Sequence, residues 1–209
     1  MRDTLQASMY FSLLYKTNVF NFYQCNNYKT SQFIRMTLKR NPNSYSIWFI
    51  PTDKKFLLLE KKIIEISQSF EDIKFIPHVT LISNLDYSQK FLSKKIKRIA
   101  KKIPAFKIFL GEVDYSDEFF QSFFINVKLN DQLIYARKIA LLNFPEISQN
   151  YNPHLSLAYG YMNDKMKENL KKKVQCPTKY FTAKDLYLAY NDEIKFKWKI
   201  IDKVELKND

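Results

Sequence analysis

The stretch FIPHVTL, residues 75–81, recurs as YNPHLSL at residues 151–157. Each copy consists of an aromatic residue, a spacer, proline, histidine, an aliphatic residue, a hydroxyl residue and a second aliphatic residue. The chain has two histidines, His78 and His154, and both occupy the same position in this pattern. Such a coincidence has a chance on the order of one in ten thousand at ordinary residue frequencies. We therefore interpret both stretches as functional, although a single histidine on a strand is usually structural.

The alternation of residue types after each histidine is typical of a β-strand with one buried face. With a side-chain period of two, each histidine shares a face with the hydroxyl residue two positions later, and the aliphatic residues enter a core. Two such strands facing one cavity would present two imidazoles and two hydroxyls to one ligand. The candidate site residues are His78, Thr80, His154 and Ser156.

These groups suit the hydrolysis of a phosphodiester. Two imidazoles can supply the base that activates water and the acid that protonates the leaving oxygen at neutral pH. The hydroxyls of Thr80 and Ser156 can donate hydrogen bonds to the phosphoryl oxygens. We expect no metal and no cofactor, because a catalytic zinc site needs three protein ligands and neither motif contains a carboxylate. A Ser–His nucleophile is also disfavoured, since no third, orienting group is evident.

At these residues the sequence resembles the 2H phosphoesterase superfamily, which is defined by two His-x-Ser/Thr motifs with apolar flanks. Within it, the sequence is most similar to the cyclic phosphodiesterases of plants and yeast. Three further stretches carry this narrower resemblance: residues 45–51, 119–124 and 154–160. The resemblance runs from about Tyr45 to Leu206 and does not include the first 44 residues.

The resemblance implies a metal-independent enzyme that opens a cyclic phosphate on ribose. The implied substrates are nucleoside 2′,3′-cyclic phosphate, giving the 2′-phosphate, and ADP-ribose 1″,2″-cyclic phosphate, which arises in tRNA splicing and gives the 1″-phosphate. It favours His154 as the base and His78 as the acid. It also implies that Tyr159 contacts the phosphate region and that Trp48 stacks on a base or ribose, with Gln121 a weaker candidate. A packed core aromatic is the alternative for both Tyr159 and Trp48.

Two other functions fit the same motifs. One is a 2H enzyme that processes RNA ends, as a 2′,5′-phosphodiesterase or a 3′-end exonuclease. The other is a non-catalytic RNA- or nucleotide-binding module, which the net charge of +13 would also suit. The two intact motifs argue against the module, because binding alone does not require both histidines and both hydroxyls.

The periodicity of apolar residues predicts an α+β fold with the element order β-α-β(His)-α-β-β-α-β(His)-α-β-β. We expect two antiparallel sheets that face a central cleft, with helices outside, and the resemblance implies the same duplicated, bilobal shape. The last two strands are predicted at residues 181–190 and 195–206, and another at 119–129. The helix predicted at residues 91–103 carries six basic side chains: Lys94, Lys95, Lys97, Arg98, Lys101 and Lys102.

The first 44 residues differ from the predicted domain, residues 45–209. They hold six basic residues and one acid, so +5 of the net charge of +13 lies there. This composition is typical of an organelle transit peptide, and the alternative is an extension with little fold of its own. With only Cys25 and Cys176, a reducing compartment is expected, either the cytoplasm or, with a transit peptide, an organelle such as the mitochondrion. We expect a monomer that is not membrane-bound and whose partner is a small cyclic nucleotide, or alternatively RNA 3′ ends.

Overall fold

A computed structural model describes residues 43–68 and 73–207. The predicted N-terminal extension lies outside the described residues, except for Asn43 and Ser44, which begin the first strand. The first half contains β1 (Asn43–Phe49), α1 (Asp53–Ser67), β2 (Val79–Leu85), α2 (Gln89–Ala100) and β3 (Phe106–Tyr115). The second half contains β4 (Phe123–Lys128), α3 (Asp131–Leu141), β5 (His154–Ala158), α4 (Asp164–Lys173), β6 (Tyr180–Ala183), β7 (Asp185–Asp192) and β8 (Lys197–Glu205).

The strands form two four-stranded sheets in which all neighbours are antiparallel. Sheet I has the order β2-β1-β7-β8, and sheet II has the order β5-β4-β3-β6. The strands that follow or contain the two histidines, β2 and β5, are therefore edge strands of different sheets, and they contact each other. This arrangement confirms the predicted α+β class with two antiparallel sheets.

Helices α1, α2 and α3 each bury one apolar stripe, as their sequence period predicts. In α2, Leu92, Ile96 and Ile99 are fully buried, and the helix packs on β7 and β8 of sheet I. Asn130 is the N-cap of α3, because its side-chain oxygen accepts a hydrogen bond of 2.8 Å from the Leu133 amide. Helix α1 contacts β5, whereas α3 contacts β2 and β3, so each of these helices packs next to one of the histidine strands.

Two predicted strands differ from the structure. Residues Phe119–Gln121 form a 3₁₀ turn, and β4 begins only at Phe123. The strand predicted at residues 181–190 is two strands, because β6 ends at Ala183 in sheet II and β7 begins at Asp185 in sheet I. The chain therefore changes sheets at Lys184, and a continuous apolar alternation cannot reveal such a change.

None of the helices in the described part of the chain is long and apolar enough to cross a membrane.

Candidate active site

Both histidines are held by the same short-range contact. Nδ1 of His78 lies 2.6 Å from the Ile76 carbonyl oxygen, and Nδ1 of His154 lies 3.0 Å from that of Asn152. A carbonyl only accepts, so each Nδ1 carries the proton and donates, which leaves each Nε2 available for proton transfer. The proline before each histidine restricts the preceding residue to an extended conformation, and this residue supplies the carbonyl. The shared proline of the two motifs thus has a physical reason.

The environment lowers the pKa of both imidazoles. The pKa of His78 is lowered from 6.5 to about 4, mainly by burial and to a smaller extent by the charge that His154 can carry, while the Ile76 carbonyl opposes the shift. Burial also lowers the pKa of His154, against the opposing effect of the Asn152 carbonyl. Since His154 influences the charge of His78, the two rings lie within electrostatic reach of each other. Both are therefore neutral at pH 7 in the free protein.

Each imidazole also packs against an aromatic ring. Trp48 pairs with Thr80 across β1 and β2, and its ring stacks on His78 with centroids 3.7 Å apart and an interplanar angle of 13°. Phe124 contacts His154 edge to face at 5.4 Å. Trp48 is only 2% exposed, so it supports His78 from the core and does not offer an open face to a base.

The two motif hydroxyls are in different states. Ser156 Oγ donates to the Phe120 carbonyl at 3.0 Å, so its proton is already used. The Thr80 hydroxyl makes no hydrogen bond within residues 43–68 and 73–207, and the residue is partly exposed. Thr80 is therefore the hydroxyl that is ready to donate to an incoming phosphoryl oxygen.

A bulge in β5 places Tyr159 beside Ser156. Ser156 pairs with Phe124 and Ala158 with Phe123, so Leu157 is an extra residue in the ladder. A bulge of this kind shifts the side-chain alternation by one position, so Tyr159 falls on the face that Ser156 occupies. Burial raises the pKa of Tyr159, and the neighbouring Ser156 hydroxyl partly offsets this rise. Gly160 follows with φ 125°, which ends the strand.

The aromatic residue that opens each motif contacts the other motif. Phe75 stacks on Tyr159, two residues beyond the second motif, with centroids 3.9 Å apart. The Tyr151 hydroxyl donates to the Thr80 carbonyl of the first motif at 3.1 Å. Tyr159 also contacts Trp198 of sheet I at 5.4 Å. These reciprocal contacts link the two histidine strands across the two sheets.

Arg137, which sequence reasoning missed, adds a third link. This α3 residue is 8% exposed, and its Nη1 donates to the Leu81 carbonyl in β2 at 2.7 Å. Its Nη2 donates to the Ser148 carbonyl, ahead of the second motif, at 2.6 Å. The guanidinium also lies over the Tyr151 ring at 4.7 Å. Its position in an amphipathic helix gave no signal, because charged residues there usually face solvent.

The weaker candidate Gln121 ends the 3₁₀ turn, where its carbonyl accepts a hydrogen bond from Ser116. Within the described ranges, no three histidine, cysteine, aspartate or glutamate side chains form a group that could hold a metal ion.

Known proteins resemble this chain over most of the residues that the structure describes. A model of the family described as cyclic phosphodiesterase-like protein matches residues 43–206. The cyclic phosphodiesterase of Arabidopsis thaliana is 23% identical over 130 residues, which cover 62% of this chain and 72% of the relative.

Solved structures share the fold at low sequence identity. LigT of E. coli, in complex with 3′-AMP, is 12% identical with a TM-score of 0.52, and the alignment covers 80% of this chain and 99% of LigT. TT0787 of Thermus thermophilus is 10% identical with a TM-score of 0.54, covering 79% of this chain and 99% of that protein. These likenesses confirm the predicted fold.

Proposed function

Because this chain belongs to the cyclic phosphodiesterase-like family, within the 2H phosphoesterase superfamily, we propose that it hydrolyses a cyclic phosphodiester on ribose with His78 and His154 as its acid–base pair. Membership confirms the predicted class of enzyme, a phosphodiesterase. The observation that supports the residue roles is the equal restraint of both imidazoles, each by a carbonyl at Nδ1. A general acid and a general base must both present a ring nitrogen in a fixed direction.

In the proposed reaction His154 Nε2 accepts a proton from the attacking water. His78, as imidazolium, gives its Nε2 proton to the departing ribose oxygen, so the ring P–O bond breaks as the new P–O bond forms. The Thr80 hydroxyl donates to a non-bridging oxygen, where negative charge concentrates. After turnover His154 carries the proton taken from water and His78 is neutral, and exchange with solvent restores both rings.

The acid needs a proton that burial disfavours in the free protein, where the pKa of His78 is about 4. A phosphodiester bound between the rings carries a negative charge, and an opposite charge at this distance favours the imidazolium. Substrate binding and protonation of the acid are therefore coupled. We expect the bell-shaped pH profile of kcat/KM to have its maximum below pH 6.5. The pH profile of kcat should stay high to a higher pH, because bound substrate favours the imidazolium form of His78.

Nucleoside 2′,3′-cyclic phosphate and ADP-ribose 1″,2″-cyclic phosphate are the proposed substrates. The name of the Arabidopsis relative supports a cyclic phosphate, and LigT has been solved with 3′-AMP and with NADP+, which are nucleotides. RNA carrying a terminal cyclic phosphate is the competing substrate, and the basic side chains on α2 favour it.

The test is incubation of the purified protein, in the presence of EDTA, with both cyclic phosphates and with an RNA oligomer that ends in a 2′,3′-cyclic phosphate. Phosphorus NMR distinguishes the 2′- from the 3′-phosphate product. We expect turnover of at least one small cyclic phosphate to the 2′- or 1″-phosphate, and loss of that turnover in His78→Ala and His154→Ala. Full activity in either variant, or loss of activity with EDTA, contradicts the two-histidine mechanism. Turnover of the RNA oligomer alone would favour RNA end processing.

A further inference from the structure

A cavity lies beside α3, and neither histidine lines it. Its volume is about 530 Å³, within the ~300–1,000 Å³ typical of small-molecule pockets. Most of its lining is apolar and comes from the exposed side of α3 and the segment that follows. The apolar lining includes Ile134, Leu141, Leu142 and Pro145.

These apolar side chains have no cover within the described residues. Leu142 is 70% exposed and Ile134 is 51% exposed, although both belong to one continuous helical surface. Contiguous exposed apolar surface on a folded domain is typical of a binding site.

The polar lining of this cavity comprises Arg137, Lys138, Gln149 and Tyr151, and the buried cation among them is Arg137. Its Nη1 and Nη2 both donate to carbonyl oxygens, but its Nε has no hydrogen-bond partner. The ion pairs within residues 43–68 and 73–207 all involve lysines, so no carboxylate among these residues neutralises the guanidinium. A buried charge without a counter-ion is costly, and an anion in the cavity beside the guanidinium would offset that cost.

We propose that this cavity binds an amphiphilic carboxylate, with the head group beside Arg137 and Lys138 and the hydrocarbon chain along Ile134 and Leu142. Lys138, which also lines the cavity and is exposed, adds a second positive charge, and a carboxylate head group suits this pair of cations. The apolar side chains of the cavity would contact the hydrocarbon chain of this ligand. Because neither histidine lines the cavity, the proposal does not depend on the reaction assigned to the histidine site.

The direct test is calorimetric titration of the full chain with decanoate below its micelle concentration, and with decan-1-ol as the uncharged analogue. We expect saturable binding of one decanoate, with decan-1-ol at least tenfold weaker. Leu142→Glu places a negative charge in the cavity and should weaken decanoate binding at least tenfold. Leu57→Glu is the matched control, since Leu57 is 62% exposed on α1 and does not line the cavity, and it should leave the affinity unchanged.

Four outcomes would overturn the proposal. They are no saturable binding, equal affinity for decanoate and decan-1-ol, equal effects of Leu142→Glu and Leu57→Glu, and loss of binding in His78→Ala, which would place the probe in the histidine site. Sedimentation velocity provides an independent check, because a dimer that Leu142→Glu dissociates would mean that a second copy covers this surface. Arg137→Gln, with its fold verified by circular dichroism, should reduce the preference for decanoate over decan-1-ol.

Discussion

Burial keeps His78 neutral in the folded protein, because it lowers the pKa of this imidazole from 6.5 to about 4. Between these values the unfolded chain binds a proton that the folded chain does not bind. The stability that the neutral ring contributes is therefore complete above pH 6.5 and is lost as the pH falls towards 4. At ~1.36 kcal/mol per pKa unit, the loss is on the order of 3 kcal/mol.

Replacing His78 with glutamine removes this titration. We expect the free energy of unfolding of His78→Gln, measured by urea denaturation, to fall less than that of the wild type between pH 7 and about pH 4.5. Other acid-sensitive groups are common to both proteins and cancel in the comparison. Parallel stability curves would mean that His78 is not buried as a neutral group.

The roles of the two imidazoles can be separated by the leaving group. A p-nitrophenyl phosphodiester releases a weakly basic phenolate, which needs no general acid. With His78 as the acid, His78→Ala should lose ~10²- to 10⁴-fold in rate on the cyclic phosphate but far less on the p-nitrophenyl diester. His154→Ala should lose rate on both. The reverse pattern would exchange the two roles.

The two hydroxyls should differ, because only the Thr80 proton is uncommitted. Thr80→Val removes the donor with little change in volume, and we expect kcat to fall by ~10²-fold, in the range seen for single oxyanion donors. Ser156→Ala should cost less, and Thr80→Ser should restore most of the rate. If Ser156→Ala is the more damaging change, the Ser156 hydroxyl must exchange its carbonyl partner for the phosphate.

At the scale of elements, the contacts of Tyr151 keep the second motif in register with β2. Tyr151→Phe removes the hydrogen bond to the Thr80 carbonyl and should cost ~1 kcal/mol of stability. It should also lower kcat, because Thr80 and His78 lie on the same segment. Tyr87→Phe is the matched control, since the Tyr87 hydroxyl binds the exposed Glu146 at 2.7 Å. Equal behaviour of the two variants would exclude a positioning role for Tyr151.

The local pattern of apolar and polar residues was sufficient to predict the histidine strands and the helix that Asn130 caps, because these elements depend on residues close in sequence. The contacts between elements could not be predicted in this way. Nothing in the period of α3 distinguishes Arg137 from a solvated cation, and no alternation rule reveals the bulge at Leu157. Both features depend on which distant strand lies opposite, and this is decided by tertiary packing.

For the whole molecule, the match to the family begins at residue 43, where β1 also begins. We therefore predict that removing residues 1–42 leaves kcat/KM on the cyclic phosphate unchanged, since the domain has its own core. Circular dichroism would verify the fold of the shortened chain. Loss of activity in a folded, shortened chain would assign a catalytic contribution to the extension, and its proposed targeting role would then need a separate test by localisation of the full chain.

The order of the strands has a consequence for how the chain acquires its structure. Sheet II consists of β3 to β6, which are consecutive in sequence. In sheet I, β1 pairs with β7, which is synthesised much later. Pairings between distant segments close large loops and form slowly. On the ribosome, sheet II can therefore form while β1 and β2, which α1 connects, are still an isolated pair of strands, with the apolar edge of Ile47 and Phe49 unprotected. Nascent chains that stop before Asp185 should be the species that aggregate and that chaperones retain.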